Sequence, residues 1–484
     1  MGVLSGLKPE KVFTYFEEIA RIPHGSGNVE AISDYLAGFA RERGLYYIQD
    51  EVKNVIIVKE ASPGYEQEPA LILQGHMDMV AVHKPELTVD MTREPLKLAV
   101  EGDRIYAEGT SLGGDDGIAV AYALALLDDD TLRHPRLEVV ITVDEEVGMD
   151  GARAIDLSML QGHRLLNLDS EEEGIFLTSC AGGARIRCAI DLSKQCREMT
   201  GEIYELTVGG LQGGHSGAEI HKERGNSNLL MARLLQKLAG SIRAGLCGCE
   251  GGLADNAIPR VTKARVLVEK EDEADFRELV ARYDAVLRNE LATKDPEVSV
   301  TAASQRTGME RCLTGDGLRW AADYLYSLPC GVQAMSADVP GLVETSLNLG
   351  ILKVCDGIVE AEFSVRSCVD SSKQALLDKV QALTALAGGR CEVTGDYPGW
   401  AYRVDSPLRD KMIALYEEMY GEKPRVEAIH AGLECGILAS KISDLDGISF
   451  GPNMYDIHTT EETLSISSTQ RVWEYLVRLL ERKG

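Results

Sequence analysis

Five short runs in this chain are continuously aliphatic: NVIIVK (54–59), ALILQ (70–74), LEVVITV (137–143), RLLNL (164–168) and a run at 447–450. A strand with no polar alternation is buried on both faces, which demands helices above and below its sheet. The intervening segments supply them. Residues 9–22 and 27–44 carry apolar positions at helical spacing, and a small-residue helix begins near Asp115 and runs through IAVAYALALL. A further helix is expected near 466–482. The fold class read from this pattern is α/β.

The character changes near residue 180. After the turn-prone SCAGGA stretch, the strand-like segments alternate polar with apolar (RIRCAI, EIYELTV, ARVLVEK, VEAEFSVRS), and charged amphipathic helices lie at 271–293 and 371–387. This is the pattern of an α+β domain whose sheet is covered on one side. Its two strand–helix halves suggest a diverged duplication without a residue-level repeat. Asp405-Ser406-Pro407 then starts a helix, with a capping side chain and proline in the first turn, and aliphatic α/β character returns. The expected organisation is a catalytic domain split in sequence, 1–182 and 401–484, with 183–400 inserted.

Composition narrows the partners. A formal net charge of −27 repels phosphate backbones and anionic lipid heads, so neither nucleic acid nor membrane is an expected partner. The start of the chain lacks the pattern of a secretory signal, and no apolar run approaches the ~20 residues of a membrane span. Eleven cysteines, none in a Cys-x-x-Cys pair, read as reduced thiols of a cytoplasmic protein. No G-x-x-x-x-G-K-[ST] loop is present, which disfavours nucleotide chemistry.

Polar clusters follow the aliphatic runs or open a helix. Gln74-Gly75-His76-Met77-Asp78 follows ALIL, Asp144-Glu145-Glu146 follows LEVVITV, and Asp169 follows RLLNL. His458 lies in GPNMYDIHTTEE after the last run, and Gly113-Gly114-Asp115-Asp116-Gly117 begins the small-residue helix. Loops beyond the carboxyl ends of parallel strands converge on one crevice. If these strands are parallel, two imidazoles and several carboxylates meet there.

That donor set suits zinc, with cobalt or manganese as substitutes, better than the all-oxygen shells of calcium and magnesium. A shared carboxylate can hold two ions roughly 3.5–4 Å apart. Two divalent ions balance Asp115, Glu146, Asp169 and one hydroxide between them, leaving Glu145 free as a base. Asp78 is placed to orient the His76 ring. Each residue alone has a plainer account: a surface histidine, a helix cap, a solvated acidic turn. Five positions of metal-ligand type at strand ends and a helix start outweigh those accounts together. The acidic run Glu171–Glu173 is left as solvated.

LQGHMDMV, GTSLGGDDGIAVAYALALL, ITVDEEVGMDGA, LLNLDSEEEG and ISFGPNMYDIHTTEE resemble the M20 metallopeptidase family, in particular its aminoacyl-histidine dipeptidase branch. RIPHGSGN (21–28) and GGLQGGHSGAEIHKERGN are similar to the same branch, so the likeness spans nearly the whole chain. It implies a zinc-peptidase-like catalytic domain with a ferredoxin-like-derived lid. It implies His76, Asp115 and Asp169 around one zinc and Asp115, Glu146 and His458 around the other, with Asp78 and Glu145 as the catalytic pair. A cis bond after Asp115 is also implied. In the lid, His215 would polarise the scissile carbonyl, and Asn256 and Arg366 would contact substrate, the latter at a carboxylate. Gly432 would line the pocket with its backbone. His430 and Glu434 are open between substrate contact and core.

The expected activity is hydrolysis of dipeptides, Xaa-His and β-alanyl-histidine among them, by a monomer or homodimer. An N-acyl amino acid deacylase or carboxypeptidase on the same site is the alternative within enzymes. A non-catalytic, metal-dependent binding protein is the alternative outside them.

Overall fold

The computed structural model describes residues 2–483, which form two compact units. The first comprises 2–179, 402–428 and 433–483; the second comprises 180–401 together with 429–432. Among the described residues no helix is long and apolar enough to cross a membrane.

The first unit is built on an eight-stranded mixed sheet. Its centre is parallel: Leu137–Thr142, Leu71–His76, Arg164–Asn167 and Asp446–Ser449 lie side by side in that order and run the same way. Val55–Lys59 joins one side antiparallel, followed by Tyr46–Gln49. The strands Val55–Lys59, Leu71–His76 and Leu137–Thr142 are buried along their whole length, as unbroken aliphatic runs require. Helix Gly114–Leu127 is buried at every position, so its small residues let it pack on all sides. Because the central strands are parallel, His76, the Asp144-Glu145-Glu146 turn, Asp169 and the segment leading to His458 all leave the sheet at one end.

His458 itself sits between Met454–Tyr455 and Thr463–Ser465, part of a separate four-stranded sheet completed by Arg104–Ala107 and Leu98–Glu101. The same loop carries Glu462, which is 3 % exposed. Its carboxylate accepts hydrogen bonds from the amides of Leu112 (2.7 Å), Gly113 (3.1 Å) and Gly114 (2.8 Å), with Asp115 N at 3.4 Å. These are the free amides at the start of helix Gly114–Leu127, where a negative charge is favoured. Gly113 is required there: its φ is +66°, and a Cβ would fall 2.7 Å from Met79 Sδ. Asp115 and Asp116 have not yet adopted helical angles, and the bond between them is cis, as the resemblance implied.

The second unit carries a nine-stranded antiparallel sheet. Pairing places Ser299–Thr314, Cys196–Gly209, Thr262–Val268 and Ala244–Gly251 in succession, then Val343–Cys355, Ile358–Ser367, Gly182–Asp191 and Arg390–Tyr397. Gly331–Met335 pairs along Val343–Cys355, and the end of Ser299–Thr314 bridges back to Ala244–Gly251. Each set of four strands has the chain order β-α-β-β-α-β and the spatial order 4-1-3-2, so the architecture is duplicated. One copy lies, in sequence, between the first strand and first helix of the other. The copies join through their second strands. Helices Ser227–Ser241, Glu273–Glu290, Asp316–Ser327 and Asp370–Leu386 share one apolar core with the inward residues of the strands. The chain is thus a mixed α/β protein with a large mixed sheet and a separate antiparallel one. All eleven cysteines are free thiols.

Glu462 gives this arrangement a stability test. Glu462→Ala leaves buried amides without an acceptor, at roughly 1–3 kcal/mol for each unsatisfied group. With partial relaxation the expected loss is on the order of 3 kcal/mol, read as a lowered urea midpoint at unchanged slope. Glu462→Gln keeps an acceptor oxygen and should lose less. An alanine variant as stable as the parent would show that the cradle contributes nothing.

Candidate metal centre

The strand ends bring the sequence-selected residues together. His76, Asp115 and Asp169 offer ligand atoms that all lie within 4.8 Å of one another, and so do Asp115, Glu146 and His458. Asp115 belongs to both groups, one oxygen facing each: His76 Nε2 is 3.1 Å from its Oδ1 and His458 Nε2 is 3.0 Å from its Oδ2. The same ring nitrogens also face the remaining carboxylates, Asp169 Oδ1 at 3.6 Å and Glu146 Oε1 at 2.9 Å. One ring N–H cannot serve two acceptors well, yet each histidine nitrogen is shared between two carboxylates. Three nitrogen and carboxylate-oxygen donors gathered this closely are a geometry that a divalent cation fits.

The electrostatics agree. Hydrogen bonds donated to Asp115 and Glu146 push His458 up to about 10. Burial opposes the charged form of His76, but the charge of Asp169 and the hydrogen bond to Asp115 outweigh it and raise that ring well above its usual range. Burial acts on Asp115 too, yet His458 and His76 hold its carboxyl below the carboxylate range. Asp169 is pushed to about 7, by burial first and then by neighbouring acids. Both rings are thus favoured in their charged form by the carboxylates they face, the pattern that cations held by the same groups would also satisfy.

The other ring nitrogen of His76 is fixed by a main-chain group. Nδ1 lies 2.9 Å from the carbonyl oxygen of Asp78, whose carboxylate Oδ1 is farther, at 3.4 Å. That carboxylate instead accepts from the amide of Glu145 (3.0 Å), the amide of Glu146 (3.4 Å) and the hydroxyl of Ser26 (2.8 Å). Asp78 therefore ties the histidine strand to the Glu145-Glu146 turn. Glu145 belongs to neither ligand group. Burial, with Asp169, Glu146 and Asp115 nearby, pushes its carboxyl up to about 8.

Glu434, open in the sequence between substrate contact and core, lies beneath this floor. Fully buried at the start of Glu434–Lys441, its Oε2 accepts from Gln74 Nε2 (2.6 Å) and Thr142 Oγ1 (2.6 Å). Burial first, then the charge of Glu145, raises it to about 8. Nothing in the sequence marks Glu462 except its place shortly after His458 in HTTEE. The run Glu171–Glu173 is not simply solvated: Glu173 forms a two-oxygen pair with Arg471, both contacts 2.6 Å, and Glu172 pairs with Arg425.

Within the second unit, His215 pairs with Ala257, and the Ser216 amide donates to Asn256 O at 2.8 Å, so His215 and Asn256 are neighbours. A Cβ on Gly217 would lie 3.0 Å from His215 Cε1, 3.1 Å from Arg366 Nε and 2.6 Å from His430 O, so these three residues surround it. Burial, then the Arg366 charge, lowers His215, and the same causes take His430 down to about 3. Gly432 packs against the ring of Tyr397.

The chain is 36 % identical over 481 residues to the cytosol non-specific dipeptidase of Escherichia coli (strain K12), covering 99 % of each. The crystal structure of aminoacylhistidine dipeptidase from Vibrio alginolyticus superposes with a TM-score of 0.94 at 35 % identity, over 99 % of this chain and 98 % of that one. Aminopeptidase PepT from Bacillus cereus shares the fold at a TM-score of 0.56 and 15 % identity, over 98 % of each chain. Residues 72–482, which contain every candidate ligand, match the sequence model of peptidase family M20/M25/M40, and to that family the chain belongs.

Proposed function

We propose that the chain is a dipeptidase that hydrolyses unblocked dipeptides, Xaa-His and β-alanyl-histidine among them, at a two-metal site. The observation that carries this reading is the pair of ligand groups sharing Asp115, beside a buried carboxylate, Glu145, that belongs to neither. The names of the full-length relatives support the substrate class. His76, Asp115 and Asp169 would hold one ion and Asp115, Glu146 and His458 the other, zinc by donor type, with cobalt or manganese as substitutes. Bound there, such ions supply a Lewis acid for the carbonyl and a water acidic enough to attack it at neutral pH.

The protein's own groups do the rest. Glu145 takes the proton of the attacking water and delivers it to the leaving amine, and Asp78 keeps the Glu145 turn in place. In the second unit we assign His215 to polarise the scissile carbonyl, Arg366 to the C-terminal carboxylate, and Asn256 and Gly432 to the substrate backbone. In this reading the first unit is the zinc-peptidase-like catalytic domain and the second a substrate-binding lid. Its duplicated β-α-β-β-α-β order supports a ferredoxin-like origin. The free thiols and the cytosolic relative support a cytoplasmic location.

Glu145→Gln should keep both metals while kcat on glycyl-histidine falls by about 10³. Chelation should abolish turnover, and zinc, cobalt or manganese should restore it. If the metal-loaded protein prefers N-acetyl amino acids to dipeptides, the deacylase reading replaces this one. If it turns over neither class, the protein is a binder.

Metal loading should also release protons. His458, held protonated to about 10 in the metal-free protein, must lose its proton to become a ligand, and Asp169, near 7, is part-protonated at neutral pH. Affinity therefore rises with pH across the neutral range. Calorimetry at pH 7 in buffers of different ionisation enthalpy should find at least one proton released per chain. No release would contradict the ligand assignment of His458.

A further inference from the structure

Four strands of the second unit place one row of residues directly opposite one another: Ser346, Arg366, Gly183 and Tyr397. Residues opposite each other in antiparallel strands share a face of the sheet. Gly183 leaves a gap in this row. The phenol of Tyr397 fills it, and a Cβ on Gly183 would lie 2.6 Å from Tyr397 Oη and 2.7 Å from Cε1 and Cζ. Leaning across the gap, Tyr397 brings its Oη to 3.5 Å from Arg366 Nη1. A Cβ on Gly432 would meet the other side of the ring at 2.9–3.1 Å.

The position of Tyr397 is set by a bulge. Thr394 faces Arg185 and Tyr397 faces Gly183, so one extra residue is accommodated between them. Gly395, at φ +60°, lies in that bulge. The buried Lys373 pins it, with Nζ 2.7 Å from Asp396 Oδ1 and donating to the Tyr397 carbonyl. Across the row, Ser346 Oγ lies 2.8 Å from Nε2 of the buried His430. Arg366, between these two walls, pairs with no carboxylate among the described residues, and its Nε is buried without a hydrogen-bond partner. A guanidinium so enclosed, with an unmet donor, is set to receive an anion from outside the chain.

We propose that Tyr397, through the gap at Gly183, is a positioning residue that fixes the Arg366 guanidinium for the C-terminal carboxylate of the substrate. The inference rests on the dipeptidase reading and on Arg366 as the carboxylate receptor. Its signature is a preference for a free carboxylate over an amide at the same position, expressed in KM rather than kcat.

The test compares glycyl-histidine with glycyl-histidine amide on the metal-loaded full chain. The parent should prefer the free acid. Tyr397→Ala should raise KM for the acid by about tenfold, leave kcat within about twofold and leave the amide unchanged. Gly183→Ala, which pushes the ring aside, should narrow the preference likewise, yet add nothing in the Tyr397→Ala background, where its Cβ meets no ring. Tyr397→Phe removes the hydroxyl but not the ring and should narrow the preference by about threefold, a readout that holds if the alanine variant folds poorly. A preference unchanged in Tyr397→Phe and Tyr397→Ala, equal losses on acid and amide, or additive effects of Gly183→Ala and Tyr397→Ala overturns this inference alone. A parent enzyme indifferent to the carboxylate, or inactive on dipeptides, overturns the reading beneath it as well.

Discussion

Asp115 is the residue on which the first unit's site depends. Each of its oxygens faces a different histidine, and its backbone begins a wholly buried helix. A carboxylate in that position would be expelled or neutralised in an apolar crevice unless cations faced it from both sides. His76 and His458 supply that positive charge, while burial still pushes Asp169 to about 7 and Glu145 to about 8. Stronger positive charge at the same two points relieves all of these at once. The arrangement around Asp115 is therefore one that cation binding completes.

Two supports keep Asp115 where the histidines can reach it. Glu462 gathers the free amides at the helix start and arrives on the same loop as His458, so one excursion of the chain supplies a candidate ligand and a brace. Beneath, Glu434 links Gln74 and Thr142, which lie on the two strands that end in His76 and lead into Glu145. In both cases a buried acid holds backbone or strand ends together instead of reacting. The second unit uses the same economy in another form: a missing side chain at Gly183 lets an aromatic ring cross a strand and reach an arginine.

Much of this was legible in the residues. The aliphatic runs announced buried strands because only a two-sided sheet removes every side chain from water, and all five runs are strands. The polar–apolar alternation after residue 180 announced a one-sided sheet, and the amphipathic segments at 271–293 and 371–387 are helices Glu273–Glu290 and Asp370–Leu386. Ser406 caps its helix, with Pro407 in the first turn, as local chemistry dictates. The five ligand candidates could be named because histidine, aspartate and glutamate at strand ends and helix starts are rare in combination. Asp78 was legible only in part: its proximity to His76 was plain, but whether its carbonyl or its carboxylate meets the ring depends on how the Glu145-Glu146 turn folds over it.

By itself, then, the sequence determined the buried aliphatic strands, the longer amphipathic helices and the family, since those follow from local periodicity and from residue types at marked positions. Tertiary structure alone decided what depends on pairs far apart in the chain. Residues 429–432 join the second unit, Glu462 caps a helix about 350 positions upstream, and Gly183 opposes both Arg366 and Tyr397. Such pairings leave no local trace, because each partner alone is an ordinary glycine, tyrosine or acid. Only strand register and buried hydrogen bonding, which are properties of the assembled sheets, give them a role.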